Sequence, residues 1–262
     1  MSATPQIIVH QDAEVLAQAV AARLITRVID VQALRGAAHV VLTGGTVGVK
    51  TLAAVASSPA RAAVDWSRVQ LWWGDERFLP TGHPERNETQ ARAALLDGLV
   101  AEGLLPAGNI HAMPAADTVG ITPEESAERY AATLADHARD GADVPAFDVL
   151  LLGMGPDGHI ASLFPGHPAL YEEQRSAVGV HGSPKPPPLR VSLTLPAIQS
   201  AAEVWVVAAG SEKAKATHLA LSGAGPVQIP AAGARGRGRS LWLLDRAAAS
   251  ELPKELAPYS LS

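Results

Sequence analysis

The chain has no cysteine among its 262 residues. That absence removes disulfides, thiolate nucleophiles and cysteine-based zinc sites at once. It also has no surplus of positive charge. The formal net charge is −5, so no nucleic-acid partner held by bulk electrostatics is expected, and an anionic substrate would need a local cluster of cations. Residues 1–14, MSATPQIIVHQDAE, lack the basic and apolar segments of a signal peptide, and Glu14, Arg23, Arg27 and Asp30 interrupt the apolar stretch that follows. No membrane association is expected, and the cytoplasm is the expected compartment. Several motifs are missing too. Lys50 lacks the G-x-x-x-x-G-K-[ST] spacing of a Walker lysine, and Ser162 stands outside a G-x-S-x-G elbow. His83, His159, His167 and His181 lack helical metal-ligand spacing. Neither a metal nor a cofactor is expected.

A hydrophobic content of 47% is enough for a sizeable core, and a single domain over 1–262 is expected at this length. Short apolar runs alternate with helix-periodic stretches. Strands are expected at Ile7–His10, His39–Thr43, Val69–Trp73, Phe147–Leu152, Arg190–Leu195, Val204–Ala208 and Leu241–Leu244, with a minor one at Ile110–Met113. Helices are expected from Asp12, a plausible N-cap, to about Leu34, from the Gly44-Gly45-Thr46 turn to about Ser57, from Asn87 as cap to about Leu99, from Pro123 to about Arg139, and from Ser211 to about Leu221. Tyr171–Arg190, with its SPKPPP run, reads as an irregular surface loop or lid, and the segment ending in RGRGR as a flexible, solvated loop. The order implies an α/β fold, an open, mostly parallel sheet with helices on both faces.

Sheets of this kind bind ligands beyond the carboxyl ends of their strands. Four predicted strand exits carry polar or glycine-rich residues: Thr43 to Thr46, Gly74 to Arg77, Gly153 to His159, and Gly210 to Lys213. The stretch FDVLLLGMGPDGHIASLFPGHP, from Phe147 to Pro168, is the most concentrated of these. Its loop admits three readings. Gly153, Gly155 and Gly158 match G-x-G-x-x-G, but Pro165 cuts any helix short and no acidic strand end follows at the right distance. It is otherwise a tight turn with His159 buried, or a catalytic loop presenting Asp157 and His159. Gly44, Gly45 and Thr46 open a helix, which suits a phosphate or is simply a β-to-α turn that needs glycine. Arg77, Arg190 and Lys213 are the cations nearest the rim, and each also reads as an ordinary surface charge.

Taken together, VLTGGT (Val41 to Thr46), WWGDERFLP with Asn87 downstream, LPAGNIHAMP (Leu105 to Pro114), LLGMGPDGHIASLFPG (Leu151 to Gly166) and RVSLTLPAI (Arg190 to Ile198) followed by Gly210 to Lys213 resemble the 6-phosphogluconolactonase family. That family lies within a larger group of sugar-phosphate isomerase-like folds that includes glucosamine-6-phosphate deaminase. The resemblance implies metal-free hydrolysis of 6-phospho-D-glucono-1,5-lactone, a small phosphorylated sugar lactone, in the oxidative pentose phosphate pathway. By position it makes His159 the base and puts Asp75 and Arg77 near the reacting ring. It assigns Gly44, Gly45, Thr46, Arg190 and Lys213 to the phosphate. Gly155 and Asp157 are expected among the substrate-binding residues, Asp157 orienting the loop or a substrate hydroxyl rather than acting as the base. A deaminase and a non-catalytic sugar-phosphate sensor remain the alternatives. The deaminase loop continues into a Phe-Asn-Glu-Pro type segment, whereas this chain reads Ala161-Ser162-Leu163-Phe164-Pro165.

Overall fold

The computed structural model describes residues 4–118 and 120–256, so both ends of the expected 1–262 domain lie outside the described residues. Strand β1 (Gln6–His10) leads into α1 (Ala13–Arg35). Asp12 caps that helix by accepting the N–H groups of Glu14 and Val15, and Gly36 ends it at φ +84°, an angle that costs glycine little. Next come β2 (Ala38–Leu42), α2 (Gly45–Ser57), β3 (Val69–Trp73), β4 (Asp75–Arg77) and α3 (Asn87–Ala91). A π-turn at Arg92–Leu96 joins α3 to α4 (Asp97–Ala101). Helix α5 (Pro123–Asp136) starts with a Thr122–Glu125 capping box. The remainder comprises β5 (Val149–Gly153), β6 (Ala177–Val180), β7 (Arg190–Leu193), α6 (Leu195–Gln199), β8 (Glu203–Ala208), α7 (Ala214–Leu221) and β9 (Arg239–Asp245).

Six strands form one sheet in the order β1-β9-β8-β5-β2-β3, every neighbouring pair parallel. Alternate side chains serve opposite faces. Val40, Leu42, Val69 and Leu71 pack with Leu24, Ile25 and Val28 of α1 and Leu52 and Val55 of α2, leaving a void of only about 20 Å³. Trp72, fully buried, points the other way and meets Tyr130 of α5 edge-on. The Tyr130 hydroxyl accepts the Trp73 N–H at 2.9 Å and donates to the Trp73 carbonyl at 3.1 Å. Helices therefore cover both faces, and deleting an aromatic ring as deep as Trp72 would cost about 3–5 kcal/mol. Because the six strands run one way, the ends of β8, β5, β2 and β3 share one rim. No helix among the described residues is long and apolar enough to cross a membrane.

A second, three-stranded antiparallel sheet, β4-β7-β6, sits at that rim. Two of its strands run through stretches expected to be irregular. Strand β4 is Asp-Glu-Arg, which has no apolar alternation to find, and side-chain hydrogen bonds reinforce its backbone pairing with β7. Strand β6 lies inside the Tyr171–Arg190 segment and is only four residues long. It packs so closely on the start of α5 that a Cβ at Gly179 would come within 2.9 Å of the Pro123–Glu124 backbone. Other expectations also need correction. Ile110 makes a single bridge to Leu71 rather than a strand, and α5 stops at Asp136. The RGRGR run is pinned: the N–H groups of Arg237 and Gly238 donate to the carbonyls of Ala201 and Ala202 at 2.8 and 2.9 Å. Gly236 is buried against that same backbone, where no side chain would fit.

Candidate active site

Strand β5 delivers the chain to Gly153, and the next six residues fold back on themselves. His159 Nδ1 lies 2.6 Å from Asp157 Oδ1. A bond that short between imidazole and carboxylate puts the proton on Nδ1 and leaves the Nε2 lone pair outward. Nε2 has no hydrogen-bond partner among the described residues. The His159 side chain is 16% exposed, and its ring packs 4.5 Å from that of Phe164. The glycines have geometric work here. A Cβ on Gly155 would land on the His159 ring and the Asp157 carboxylate, and Gly158 sits at φ +82° against Ile229. The three glycine amides are used within the protein: Gly153 N–H donates to Thr43 Oγ1, Gly155 N–H to the His159 carbonyl, and Gly158 N–H to the Gly155 carbonyl. A dinucleotide loop needs those donors free, so the G-x-G-x-x-G reading fails.

Burial pushes the Asp157 carboxyl up, but the His159 hydrogen bond and the charges of His159 and Lys185 outweigh it and hold it well below the usual carboxylate range. Lys185 was not anticipated. Its Nζ stands 3.4 Å from both Asp157 Oδ1 and His159 Nδ1. It rides on the SPKPPP loop, where the only signal was a lone cation among prolines. Arg190 fixes that loop from below. Its Nε donates to the Pro187 carbonyl at 3.1 Å, and Nη2 to the carbonyls of Lys185 and Pro186 at 3.0 and 3.1 Å. The Arg190 side chain is buried, with its guanidinium 5.7 Å over the Phe164 ring. Lys213 stands near the same cluster, its ammonium lowered first by burial and further by the Lys185 charge, with Glu212 and Asp157 opposing.

Beyond Arg190, Asp75 is buried and accepts the Ser162 hydroxyl at 2.7 Å. Arg190 Nη1 reaches Ser162 Oγ at 3.5 Å and lies 4.0 Å from Asp75 Oδ2. Asn87 does not cap α3; Arg86 occupies the N-cap position. Its side chain instead ties β4 together, donating to the Asp75 carbonyl at 2.8 Å and accepting from Arg77 Nη1 at 2.5 Å. The capping falls to Glu76, whose carboxylate takes the N–H groups of Arg77, Asn87 and Glu88. Burial pushes the Glu76 carboxyl up to about 7, opposed by Arg86 and those three donors.

Gly44, Gly45 and Thr46 sit at the start of α2, where the first amides of a helix lack intrahelical partners. Gly45 has φ +77°, and Gly44 lies directly under the Asn87 amide, where any side chain would collide. Thr43 Oγ1 joins this turn to the end of β5. An unbroken run of contacts thus links Gly44, Asn87, Asp75, Ser162, Arg190, Lys185 and His159. The site combines an imidazole with a free nitrogen, cations, and open helix amides, which suits proton transfer next to a bound anion.

Known proteins match this arrangement along nearly the whole chain. Residues 11–242 match the family model for glucosamine-6-phosphate isomerases/6-phosphogluconolactonase. The chain is 60% identical over 261 residues to a 6-phosphogluconolactonase of Streptomyces coelicolor, covering 98% of each chain. It is 46% identical over 246 residues to a 6-phosphogluconolactonase of Mycobacterium tuberculosis, covering 94% of this chain and 97% of the other. The solved 6-phosphogluconolactonase of Trypanosoma brucei superposes with a TM-score of 0.79 at 28% identity, covering 95% of this chain and 99% of that one. The chain belongs to the glucosamine-6-phosphate isomerase/6-phosphogluconolactonase family.

Proposed function

We infer that this chain hydrolyses 6-phospho-D-glucono-1,5-lactone to 6-phospho-D-gluconate in the oxidative pentose phosphate pathway, with His159 as general base. The observation that carries the reading is the His159–Asp157 pair, poised with Nε2 outward, in a chain 60% identical over nearly its full length to a curated lactonase. A lactone is an activated ester, so a deprotonated water suffices and no covalent intermediate is required. Neutral His159 takes the proton through Nε2 as water attacks C1, and Asp157 stabilises the imidazolium that forms. The imidazolium then returns a proton to the leaving ring oxygen. Charge grows on the C1 oxygen, and since the amides of Gly153, Gly155 and Gly158 are spent internally, Arg77 and Lys185 are donors suited to it.

The phosphate, remote from the reacting bond, binds at the amides of Gly44, Gly45 and Thr46 with Lys213, and its binding energy positions the ring. Arg190 spends most of its donors on the loop carbonyls, so its role is to hold Lys185 in place rather than to meet the phosphate itself. Asp75 acts the same way, as a positioning residue under Ser162 and Arg190. Among the described residues one core cluster spans both sheets, which supports one domain over 1–262, working in the cytoplasm alongside its phosphorylated substrate. The test is proton release from the lactone in weak buffer, corrected for spontaneous opening. Enzyme-dependent release is expected; ammonia release from glucosamine 6-phosphate without lactone turnover would favour a deaminase.

A further inference from the structure

The opposite rim, where the parallel strands begin, holds a second cavity of about 500 Å³. It has no part in the chemistry above, and the inference drawn from it does not rest on the lactone reading. Its wall is drawn from distant parts of the chain: Arg35 at the end of α1, His39 on β2, Arg139 and Asp140 after α5, Asp148 before β5, and Arg237 before β9. Asp148 is already engaged. It accepts the His39 N–H at 2.9 Å and pairs with Arg35. Among the described residues neither Arg139 nor Arg237 forms an ion pair, and both are exposed at the mouth. Arg237 belongs to the RGRGR run, and its backbone is locked to Ala201 by a 2.8 Å hydrogen bond. Its guanidinium is therefore carried from a fixed base. The positive field registers on His39, which is lowered to about 4 by burial and then by His137, Arg139 and Arg35.

We propose that this cavity is a binding site for a small organic polyanion, one bearing two or more phosphate or carboxylate groups, gripped by Arg139 and Arg237 with Arg35 behind them. Guanidinium groups bind such oxyanions by paired hydrogen bonds. A cleft of this volume is of the size that encloses a small ligand, and it is concave where a macromolecular partner would meet a broader surface. Three arginines against two aspartates, Asp140 and the already paired Asp148, leave the wall with a surplus of positive charge on a chain whose net charge is −5.

The experiment is calorimetric titration of the full chain with tripolyphosphate, in wild type and in an Arg139→Ala/Arg237→Ala variant whose fold is checked by circular dichroism and Tm. Both residues are exposed and outside the catalytic site, so lactone turnover should be unchanged in the variant. Wild type should bind one tripolyphosphate at this site with an affinity that falls as salt is raised, and the variant should bind it at least tenfold more weakly. Inorganic phosphate should bind far more weakly here than tripolyphosphate. Equal tripolyphosphate affinity in the two proteins would overturn the proposal by placing the binding elsewhere, such as the lactone site. No binding to wild type, or capture only of long acidic polymers such as RNA, would overturn it as well.

Discussion

Replacing Asp157 by Asn isolates what the carboxylate does for His159. The 2.6 Å contact to Nδ1 is lost as a charge-assisted bond, and the Asn amide can donate to Nδ1, which drives the ring proton onto Nε2 and blocks the base. Hydrogen bonds to charged groups contribute about 1.5–3 kcal/mol. With each 1.36 kcal/mol worth tenfold in rate, kcat should fall about 10- to 150-fold. The pair is partly exposed, with side-chain exposures of 16% and 34%, so screening favours the lower half of that range. KM should move less than about threefold, because the phosphate contacts lie elsewhere. Initial rates of proton release over a range of lactone concentrations separate the two constants. A kcat loss below about threefold, or a change confined to KM, would refute the idea that Asp157 supports the base.

Gly155→Ala should cut kcat at least tenfold with little change in Tm, since the atoms nearest its new Cβ are side-chain atoms of His159 and Asp157; rates and melting curves on the same sample check this. Lys185→Met should lower kcat/KM for the lactone tenfold or more while leaving the fold intact by circular dichroism, because Arg190 and Ser183 hold that segment through its backbone whatever side chain stands at 185. Stability should also depend on pH through His111, lowered to about 4 by burial and by its neighbours His137 and His39. Above about pH 6.5 that ring is neutral folded or unfolded; below it the unfolded chain takes a proton that the native ring refuses, so stability falls towards pH 4 by at most about 1.4 kcal/mol per pH unit. His111→Phe should flatten the decline in Tm between pH 7 and 5, and an unchanged slope would remove His111 from the account.

Much of the fold was legible because its strands are short apolar runs and its helices are capped by recognisable residues. The Asp12 cap, the extent of α1 to about Leu34 and the position of β3 at Val69–Trp73 follow from residue type and pattern alone. The rim was legible too, since parallel strands must end together and four exits carried polar residues. What could not be read was anything held by side-chain bonds rather than by apolar pattern. Strand β4 is three charged residues, and Asn87 looks like a helix cap although Glu76, eleven positions earlier, supplies the cap. Lys185 and Arg190 illustrate the same limit. The sequence places Arg190 near the rim and leaves Lys185 as a lone cation in a proline-rich loop; only the fold shows that Arg190 is buried under the loop that carries Lys185. Asp157 was placed in the loop, yet its pairing with His159 depends on a backbone turn that glycine permits and the sequence does not specify.

The most direct test of the central claim is turnover of the phosphorylated lactone by a folded His159→Ala variant, measured beside wild type and corrected for spontaneous opening. A positioned general base contributes about 10²–10⁴ in rate, and a loss of kcat in that range is the predicted result. A loss of less than about threefold would contradict the account and move the base to another group.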